Sequence, residues 1–402
     1  MTTVELNSSK YQAPDGWISP HSLYLCRTRM NLTPPQVEEL TGISAELISK
    51  WEQSKETPSL EQLEILAKHY RCPVGYFFIT QPPTQFPETI NFRGLTRERF
   101  ENLSYKSRLK IDEFITLADT LTDIVRESNI SISPEIPIRN LDDDIGDIVK
   151  KEREAFGFSD KVREKWLTPI EAFYFWKNAI EKRGVYVISL SLVVNEVRGA
   201  SRWEKESPPV ILVNKSDSES ATGRTFTLLH EWAHLMLRQP GVICDFIGDK
   251  ELVNVEWFAN KFAAEMMVLN SELRDYLKTK GLFEYKARWG DNDINVIKNH
   301  FKVSKDVIAI ALENLHLAPS GFYKIKREQW DKRKAFFRNI GRPGHNKTKV
   351  ARRFEELGKP FSSLLANAYI NGNVSINRLS KTLDIKVERL NDFVNYVKVA
   401  DY

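Results

Sequence analysis

The chain has 402 residues, 42% hydrophobic and 28% charged, a balance that indicates a folded protein of roughly two to four domains and argues against a disordered chain. Its first residues, Met1 to Asn7, lack the apolar core of a signal peptide, and no run reaches the length that crosses a bilayer. The three cysteines, Cys26, Cys72 and Cys244, are far apart and fit no disulfide framework, so we expect a cytoplasmic protein.

The net charge of +4 hides an uneven distribution along the chain. From His316 to the end there are 18 Lys/Arg and 8 Asp/Glu, a balance of +10, whereas the rest carries 40 and 46, a balance of −6. A basic segment of this kind attracts phosphates, and its alternative role is a solvated helix face that docks onto the acidic remainder. The candidate basic patch consists of Lys332, Arg333, Lys334, Arg352 and Arg353.

Residues 17–79 show the short periodic segments of a helix-turn-helix. A helix starts at Thr33-Pro34, Gly42-Ile43-Ser44 forms a tight turn, and Ser44 caps a helix over 45–52. The segment carries six Lys/Arg and seven Asp/Glu, so it lacks the excess of positive charge that is typical of DNA-binding domains. The alternative to DNA binding is a helical module that docks onto a protein partner. If this segment reads DNA, the residues expected at the DNA are Gln36, Ser44, Ala45, Glu46, Ser49 and Lys50.

The middle of the chain mixes helical and strand patterns. The proline-rich residues 81–87 predict an extended linker, and helical patterns follow at 103–127, 141–155 and 169–183. Residues 185–190 and 210–213 are typical of strands. The second strand could offer an exposed edge to an extended peptide, with an ordinary interior strand as the alternative.

His230-Glu231-Trp232-Ala233-His234 is the most informative motif. Histidines four residues apart lie on one face of a helix, so both imidazoles can reach one divalent ion, and Glu231 can hold a water beside it. Apolar residues on both flanks predict a buried helix, in which a metal ion would offset the desolvation of this triad. The alternative is a pair of core histidines bonded to the backbone.

A catalytic zinc needs a third protein ligand and an open position for water. Glu256, at the start of the next long helix, is the best candidate by position, and the competing carboxylates are Asp249, Glu251 and Glu265. Glu256 and Glu265 are about two and a half turns apart on one helix, so they cannot both bind one ion. The motif therefore predicts a zinc hydrolase in which Glu231 is the general base.

The segments 224–234 and 256–264 closely resemble the ImmA/IrrE family of metallopeptidases, and Ile90-Asn91-Phe92-Arg93 with residues 17–79 resembles the version that carries an N-terminal XRE-type helix-turn-helix. Glu38 departs from the XRE-type pattern, which usually has an alanine there. The resemblance implies a zinc endopeptidase with a gluzincin-like site, with His230, His234 and Glu256 as ligands and Glu231 as base. It also implies that the substrates are repressors or similar regulators, often linked to toxin–antitoxin pairs.

These observations predict a predominantly helical α+β protein. We expect a helix-turn-helix bundle at 1–80, an extended linker at 81–102, a zincin-like metallopeptidase domain with a small sheet at 103–320, and a basic helical domain at 321–402. The expected function is cleavage of a cognate regulatory protein, with a role in transcription through DNA; no membrane partner is expected, and a homodimer is compatible with the sequence. The alternative is a DNA-binding regulator or antitoxin whose zinc site is structural or vestigial.

Overall fold

The computed structural model describes residues 17–82, 90–92, 103–193, 196–216, 221–238, 249–337 and 347–400, without the side chains of 90–92, 249–252 and 331–337. The chain forms two compact units. The N-terminal unit comprises Met1–Glu88 and Thr96–Glu113, and the C-terminal unit comprises Thr89–Leu95 and Phe114–Tyr402. Residues on both sides of position 320 thus lie in one compact unit, although the sequence predicts a domain boundary there. The domain boundaries stay predictions.

The described part of the N-terminal unit is helical. It contains α1 (Pro20–Arg29), α2 (Pro34–Thr41), α3 (Ala45–Glu52), α4 (Leu60–Tyr70) and a 3₁₀ turn at Val74–Phe78. Gly42 joins α2 to α3 in the left-handed region, with φ 76°, where a residue without Cβ is favoured. Ser44 then caps α3, because its Oγ accepts a hydrogen bond from the Leu47 backbone N–H at 3.3 Å. The predicted turn and the start of the predicted helix are confirmed.

A buried ion pair holds α1 against α3. The Arg27 guanidinium donates two hydrogen bonds to the Glu52 carboxylate, from Nε to Oε1 at 2.6 Å and from Nη2 to Oε2 at 2.7 Å. Its Nη1 donates to the Leu32 carbonyl oxygen at 2.5 Å. Because a bidentate pair with planar guanidinium restricts both distance and angle, this contact orients α3 on the apolar core of Val37, Ile48 and neighbouring side chains.

The C-terminal unit contains a sheet with strand order β1–β3–β4–β2. The strands are β1 (Ile90–Phe92), β2 (Tyr186–Leu190), β3 (Gly199–Arg202) and β4 (Val210–Asn214). β2 runs parallel to β4, whereas β3 is antiparallel to both β4 and β1. β4 is fully buried and paired on both sides, so it is the interior strand that the sequence left as an alternative, and its edge is not open to a peptide. The short β1 lies within the predicted extended linker.

Helices cover this sheet and complete the unit. They are α5 (Tyr105–Glu127, from Phe114 onward), α6 (Ile145–Ala155), α7 (Asp160–Lys165), α8 (Pro169–Lys182), α9 (Ala221–Met236), α10 (Asp249–Met267), α11 (Asn270–Thr279), α12 (Asp291–Phe301), α13 (Lys305–Asn314), α14 (Phe322–Phe337), α15 (Lys349–Ile370), α16 (Ile376–Leu383) and α17 (Leu390–Ala400), with a 3₁₀ turn at Val387–Arg389. α9 lies at the centre, packed against α8, α10, β3 and β4. The predominantly helical α+β class is confirmed. Across the described ranges, no helix is long and apolar enough to span a membrane.

The C-terminal helices pack on the sheet through α15, which contacts β2 and α17. α15 breaks at Gly358, with φ 77° and ψ 163°, two residues before Pro360. A Cβ at position 358 would lie 2.5 Å from Glu181 Oε1 and 3.1 Å from the Val187 carbonyl oxygen. Both the positive φ and this close approach require glycine, so the break lets α15 approach the sheet edge beside α8.

The buried Glu181 carboxyl at this junction, next to Lys177, predicts a pH-dependent stability. Glu181 Oε1 lies 3.6 Å from Lys177 Nζ. Burial raises the pKa of Glu181 to about 7, against the opposing effect of Lys177. The native carboxyl therefore keeps its proton between about pH 4.5 and pH 7, where the unfolded carboxyl has lost it, so this group's contribution to stability falls as pH rises through that range. The expected loss is on the order of 3 kcal/mol.

Urea unfolding at pH 5.0 and pH 7.5 measures this effect, with the Glu181→Gln variant as reference because its amide does not titrate. The wild type should lose more free energy of unfolding between the two pH values than the variant does. Equal pH dependence in both proteins would show that Glu181 titrates normally.

Candidate metal centre

α9 carries the two histidines and the glutamate of the motif into the protein interior. His230 and Glu231 are 0% exposed and His234 is 1% exposed, and the helix is buried from Thr225 to Met236. The apolar flanks of the motif explain this burial, since they pack into the main core of the C-terminal unit. Polar side chains buried in such a place need partners, and a bound cation would supply one to the two histidines.

α10 brings Glu256 to the same point. His230 Nε2 lies 3.0 Å from His234 Nε2, and the Glu256 carboxylate oxygens lie 3.5 Å from His230 Nε2 and 3.3 Å from His234 Nε2. In a tetrahedral zinc site with ligands about 2.0–2.1 Å from the ion, neighbouring donor atoms lie about 3.4 Å apart. The donor set and its spacing therefore fit one zinc-sized ion. Among the residues that the structure describes, His230, His234 and Glu256 are the group of histidine, cysteine or carboxylate side chains whose donor atoms lie close enough together to hold one metal ion.

The competing carboxylates are not in this group. Glu265 is buried farther along α10, where its Oε1 accepts a hydrogen bond from Asn270 Nδ2 at 2.7 Å and burial raises its pKa. Asp249 and Glu251 lie on α10 among the residues whose side chains are not described. Glu256 is thus the carboxylate that the structure places beside the two histidines.

A glycine in β3 allows the sheet to approach Glu231. An added Cβ at Gly199 would lie 2.9 Å from Glu231 Oε1 and 2.4 Å from Thr227 Cγ2, both too close for ordinary packing. A larger residue would push β3 away from α9 or displace the Glu231 carboxylate. No motif in the sequence singled out Gly199, although an isolated glycine in a strand often marks close approach of another group.

A buried network holds the opposite side of the motif helix. Trp232 Nε1 donates a hydrogen bond to Glu152 Oε2 at 3.1 Å, and Arg183 Nη1 donates to the same oxygen at 2.8 Å. The Arg183 guanidinium also lies over the Trp232 ring, 4.9 Å from its centroid. Because Trp232 is fixed in this way, α9 cannot rotate freely about its axis, and its histidines stay directed towards Glu256. Nothing in the sequence signalled Glu152 or Arg183.

The face proposed for DNA contact surrounds the start of α3. Ser44 is used as the helix cap, and Ser49 Oγ donates to the Ala45 carbonyl oxygen at 2.8 Å. Lys50 Nζ pairs with Glu46 at 3.0 Å and with Glu56 at 2.9 Å, and hydrogen bonds to these two carboxylates raise its pKa. The residues proposed for DNA contact at 44–50 therefore lie together on α3 and its cap. Lys50 is the cation among them, and the carboxylates of Glu46 and Glu56 surround it.

Two side chains of α2 shape the same region. Gln36, the sixth residue proposed for DNA contact, accepts a hydrogen bond from the Thr33 backbone N–H through Oε1 at 2.8 Å. Glu38 Oε2 accepts one from the Ala45 backbone N–H at 3.0 Å. A glutamate at this position therefore caps the start of α3, which a small residue could not do.

The candidate basic patch is divided between two environments. Arg352 is exposed on α15, whereas Arg353 is buried and its guanidinium donates to the Thr382 carbonyl oxygen at 2.8 Å and to Glu356 Oε2 at 3.2 Å. Arg353 therefore acts inside the C-terminal helices and not on their surface. Lys332, Arg333 and Lys334 lie on α14, among the residues whose side chains are not described.

Comparison with known families agrees with this arrangement. Residues 180–313 match the peptidase M78 family, described as IrrE N-terminal-like domain, and residues 23–77 match a helix-turn-helix family. The first match contains α9 and α10 with the whole candidate metal centre, and the second contains α2 and α3. Searches of curated proteins and of solved structures found no match. The resemblance to ImmA/IrrE metallopeptidases with an N-terminal XRE-type module is confirmed.

Proposed function

We propose that this chain, which joins an IrrE N-terminal-like domain to a helix-turn-helix, is a zinc-dependent endopeptidase that cleaves a cognate regulatory protein. The observation that carries the proposal is the cluster of His230, His234 and Glu256 donor atoms next to Glu231. A structural zinc site usually has four protein ligands, whereas three leave a position for water. A glutamate beside the first histidine has no role in a purely structural site, and this supports catalysis over the structural alternative.

His230 and His234 would hold the ion through their Nε2 atoms, and Glu256 through its carboxylate. Zinc bound there would lower the pKa of its water to about 7 and polarise the carbonyl of the scissile peptide bond. Glu231 accepts the proton of the attacking water on a carboxylate oxygen and delivers it to the leaving amine nitrogen. The close packing of Gly199 keeps the Glu231 carboxylate in place for both transfers.

The surface beside the third ligand supports a peptide substrate. Val253 and Trp257 lie one turn apart on α10, on either side of Glu256 in sequence, and are 64% and 54% exposed. Exposed apolar side chains next to a reactive centre suit an apolar side chain of a bound polypeptide. We expect the substrate to be another protein in the same cell, in the class of transcriptional regulators or toxin–antitoxin partners. Cleavage that depends on Glu231 is the decisive test of this function.

DNA binding by the N-terminal unit is a second proposed activity, supported by the helix-turn-helix match. Replacing Lys50 by alanine should weaken binding to a duplex from upstream of the chain's own gene about tenfold, because the cation that we propose to exchange its pairing with Glu46 and Glu56 for a contact in the groove is lost. Fluorescence anisotropy at fixed salt measures the dissociation constant. Lys68→Ala, an exposed lysine on α4, is the matched control and should change it less than about twofold. Equal effects of both variants would place α3 outside the groove.

A further inference from the structure

Two cysteines that are far apart in sequence meet in the N-terminal unit. Cys26 lies on α1 and Cys72 follows α4, and their side chains share a hydrogen bond. The backbone around them is fixed independently, since Arg29 Nη1 donates to the Arg71 carbonyl oxygen at 3.1 Å. The Cys72 backbone N–H in turn donates to the Ala67 carbonyl oxygen at 3.1 Å, which ends α4. The thiol contact is therefore supported from both helices.

The two thiols differ in their access to solvent. Cys26 is 0% exposed, whereas Cys72 is partly exposed. An oxidant in solution therefore reaches Cys72 before Cys26, which is its hydrogen-bond partner. This is the arrangement of an exposed reacting thiol and a buried resolving thiol.

The local charges favour a thiolate within the pair. The hydrogen bond from Cys72 lowers the pKa of Cys26, burial opposes this, and the nearby Arg29 guanidinium lowers it further. The pKa of Cys72 is raised by the same hydrogen bond, because the pair shares one negative charge. Two thiols that interact so closely lose their protons as a pair, and the first is released more easily than from an isolated cysteine.

We propose that Cys26 and Cys72 are an oxidation site, converted by a hydroperoxide into an intramolecular disulfide. The proton of Cys72 moves across the shared hydrogen bond to the Cys26 sulfur, the resulting Cys72 thiolate attacks the peroxide oxygen, the O–O bond breaks, and a sulfenic acid and hydroxide are formed. The Cys26 thiol then attacks the Cys72 sulfur, the S–O bond breaks, and the hydroxide leaves with the thiol proton as water. Overall, two thiols and one hydrogen peroxide give one disulfide and two waters, with sulfur oxidised and peroxide reduced.

The bridge would change the N-terminal unit, because the loop that it closes contains α2, α3 and α4. A cross-link between α1 and the end of α4 restricts the unfolded chain over the whole helix-turn-helix. Oxidised protein should therefore resist unfolding of this unit better than reduced protein. In a reducing cell the bond is transient, as expected for a thiol pair that responds to oxidants.

The test treats the full-length reduced chain with a small excess of hydrogen peroxide and maps disulfides by mass spectrometry under non-reducing conditions. A cross-linked peptide pair containing Cys26 and Cys72, about 2 Da lighter than the reduced pair and reversed by dithiothreitol, is expected in most chains. Cross-links that involve Cys244 instead, or chains joined only to each other, would overturn the proposal, as would two thiols that stay reduced.

Single variants in a Cys244→Ser background test the order of events. In Cys26→Ser, peroxide should leave a sulfenic acid at Cys72 that dimedone traps. In Cys72→Ser, the buried Cys26 should react at least about tenfold more slowly with the same reagents. Similar rates at both sulfurs would contradict the assigned roles. Circular dichroism establishes whether each variant is folded. If a variant does not fold, disulfide mapping of the wild-type chain alone decides the proposal.

Discussion

A Glu231→Gln variant should bind metal as the wild type does and fail to cleave its partner. The amide keeps the shape of the buried side chain but cannot accept a proton from water, so the rate should fall at least about a hundredfold. His230, His234 and Glu256 are unchanged in this variant, so about one ion per chain should remain. Loss of activity without loss of metal is the result that distinguishes a catalytic glutamate from a structural one.

Cleavage is measured through the new protein N-termini that it creates in cells. Cells that produce the wild type are compared with cells that produce Glu231→Gln, and mass spectrometry identifies termini present only in the first. Glu265→Gln is the matched control, because it removes a buried carboxylate of α10 that is outside the metal cluster. It should retain cleavage. The same set of termini in Glu231→Gln cells would refute the peptidase proposal and favour the DNA-binding regulator.

Replacing His230 or His234 by alanine should remove the metal. Each variant leaves only two protein ligands for the ion, so the metal content should fall from about one ion per chain to less than about 0.1 ion per chain. Inductively coupled plasma mass spectrometry measures this content. Zinc that binds only the native state stabilises it by about 4 kcal/mol at a thousandfold excess over its dissociation constant. Added zinc should therefore raise the thermal midpoint of the wild type and not that of the variants.

His300 offers the matched control for histidine removal. Its ring stacks on Tyr276 with centroids 4.0 Å apart, away from the metal cluster. His300→Ala should keep the metal and the response to added zinc. If His230→Ala and His234→Ala also kept both, the ion would bind elsewhere and the assigned ligands would be wrong.

Local patterns in the sequence were sufficient for the helices that carry the chemistry. Histidine spacing placed His230 and His234 on one face of a helix, because that relation depends only on helical geometry. Gly42 and Ser44 predicted the turn and the start of α3, since a left-handed position and a helix cap depend on the residues themselves. Position along the chain already favoured Glu256 as third ligand over the competing carboxylates, and the packing of α10 on α9 places its carboxylate beside the histidines.

Contacts between distant segments were beyond the reach of the sequence patterns. β3 has a small, polar sequence without strand periodicity, and it forms because β4 and β1 pair with it. Arg353 reads as a surface charge until α16 is packed against α15, which brings the Thr382 carbonyl oxygen to its guanidinium. Cys26 and Cys72 looked too far apart to interact, yet the folding of α1 against α4 brings the thiols together.

The sequence by itself predicted the kind of chemistry, from two imidazoles and a carboxylate on one helix, and the presence of a helix-turn-helix, because both follow from spacing within a few turns of chain. Tertiary structure alone decided how close the Glu256 carboxylate comes to the two histidines, which glycine lets the sheet reach Glu231, and which ion pair holds Trp232 on the motif helix. Those choices depend on distances between segments that are remote in sequence, and such distances are set by packing of the whole core.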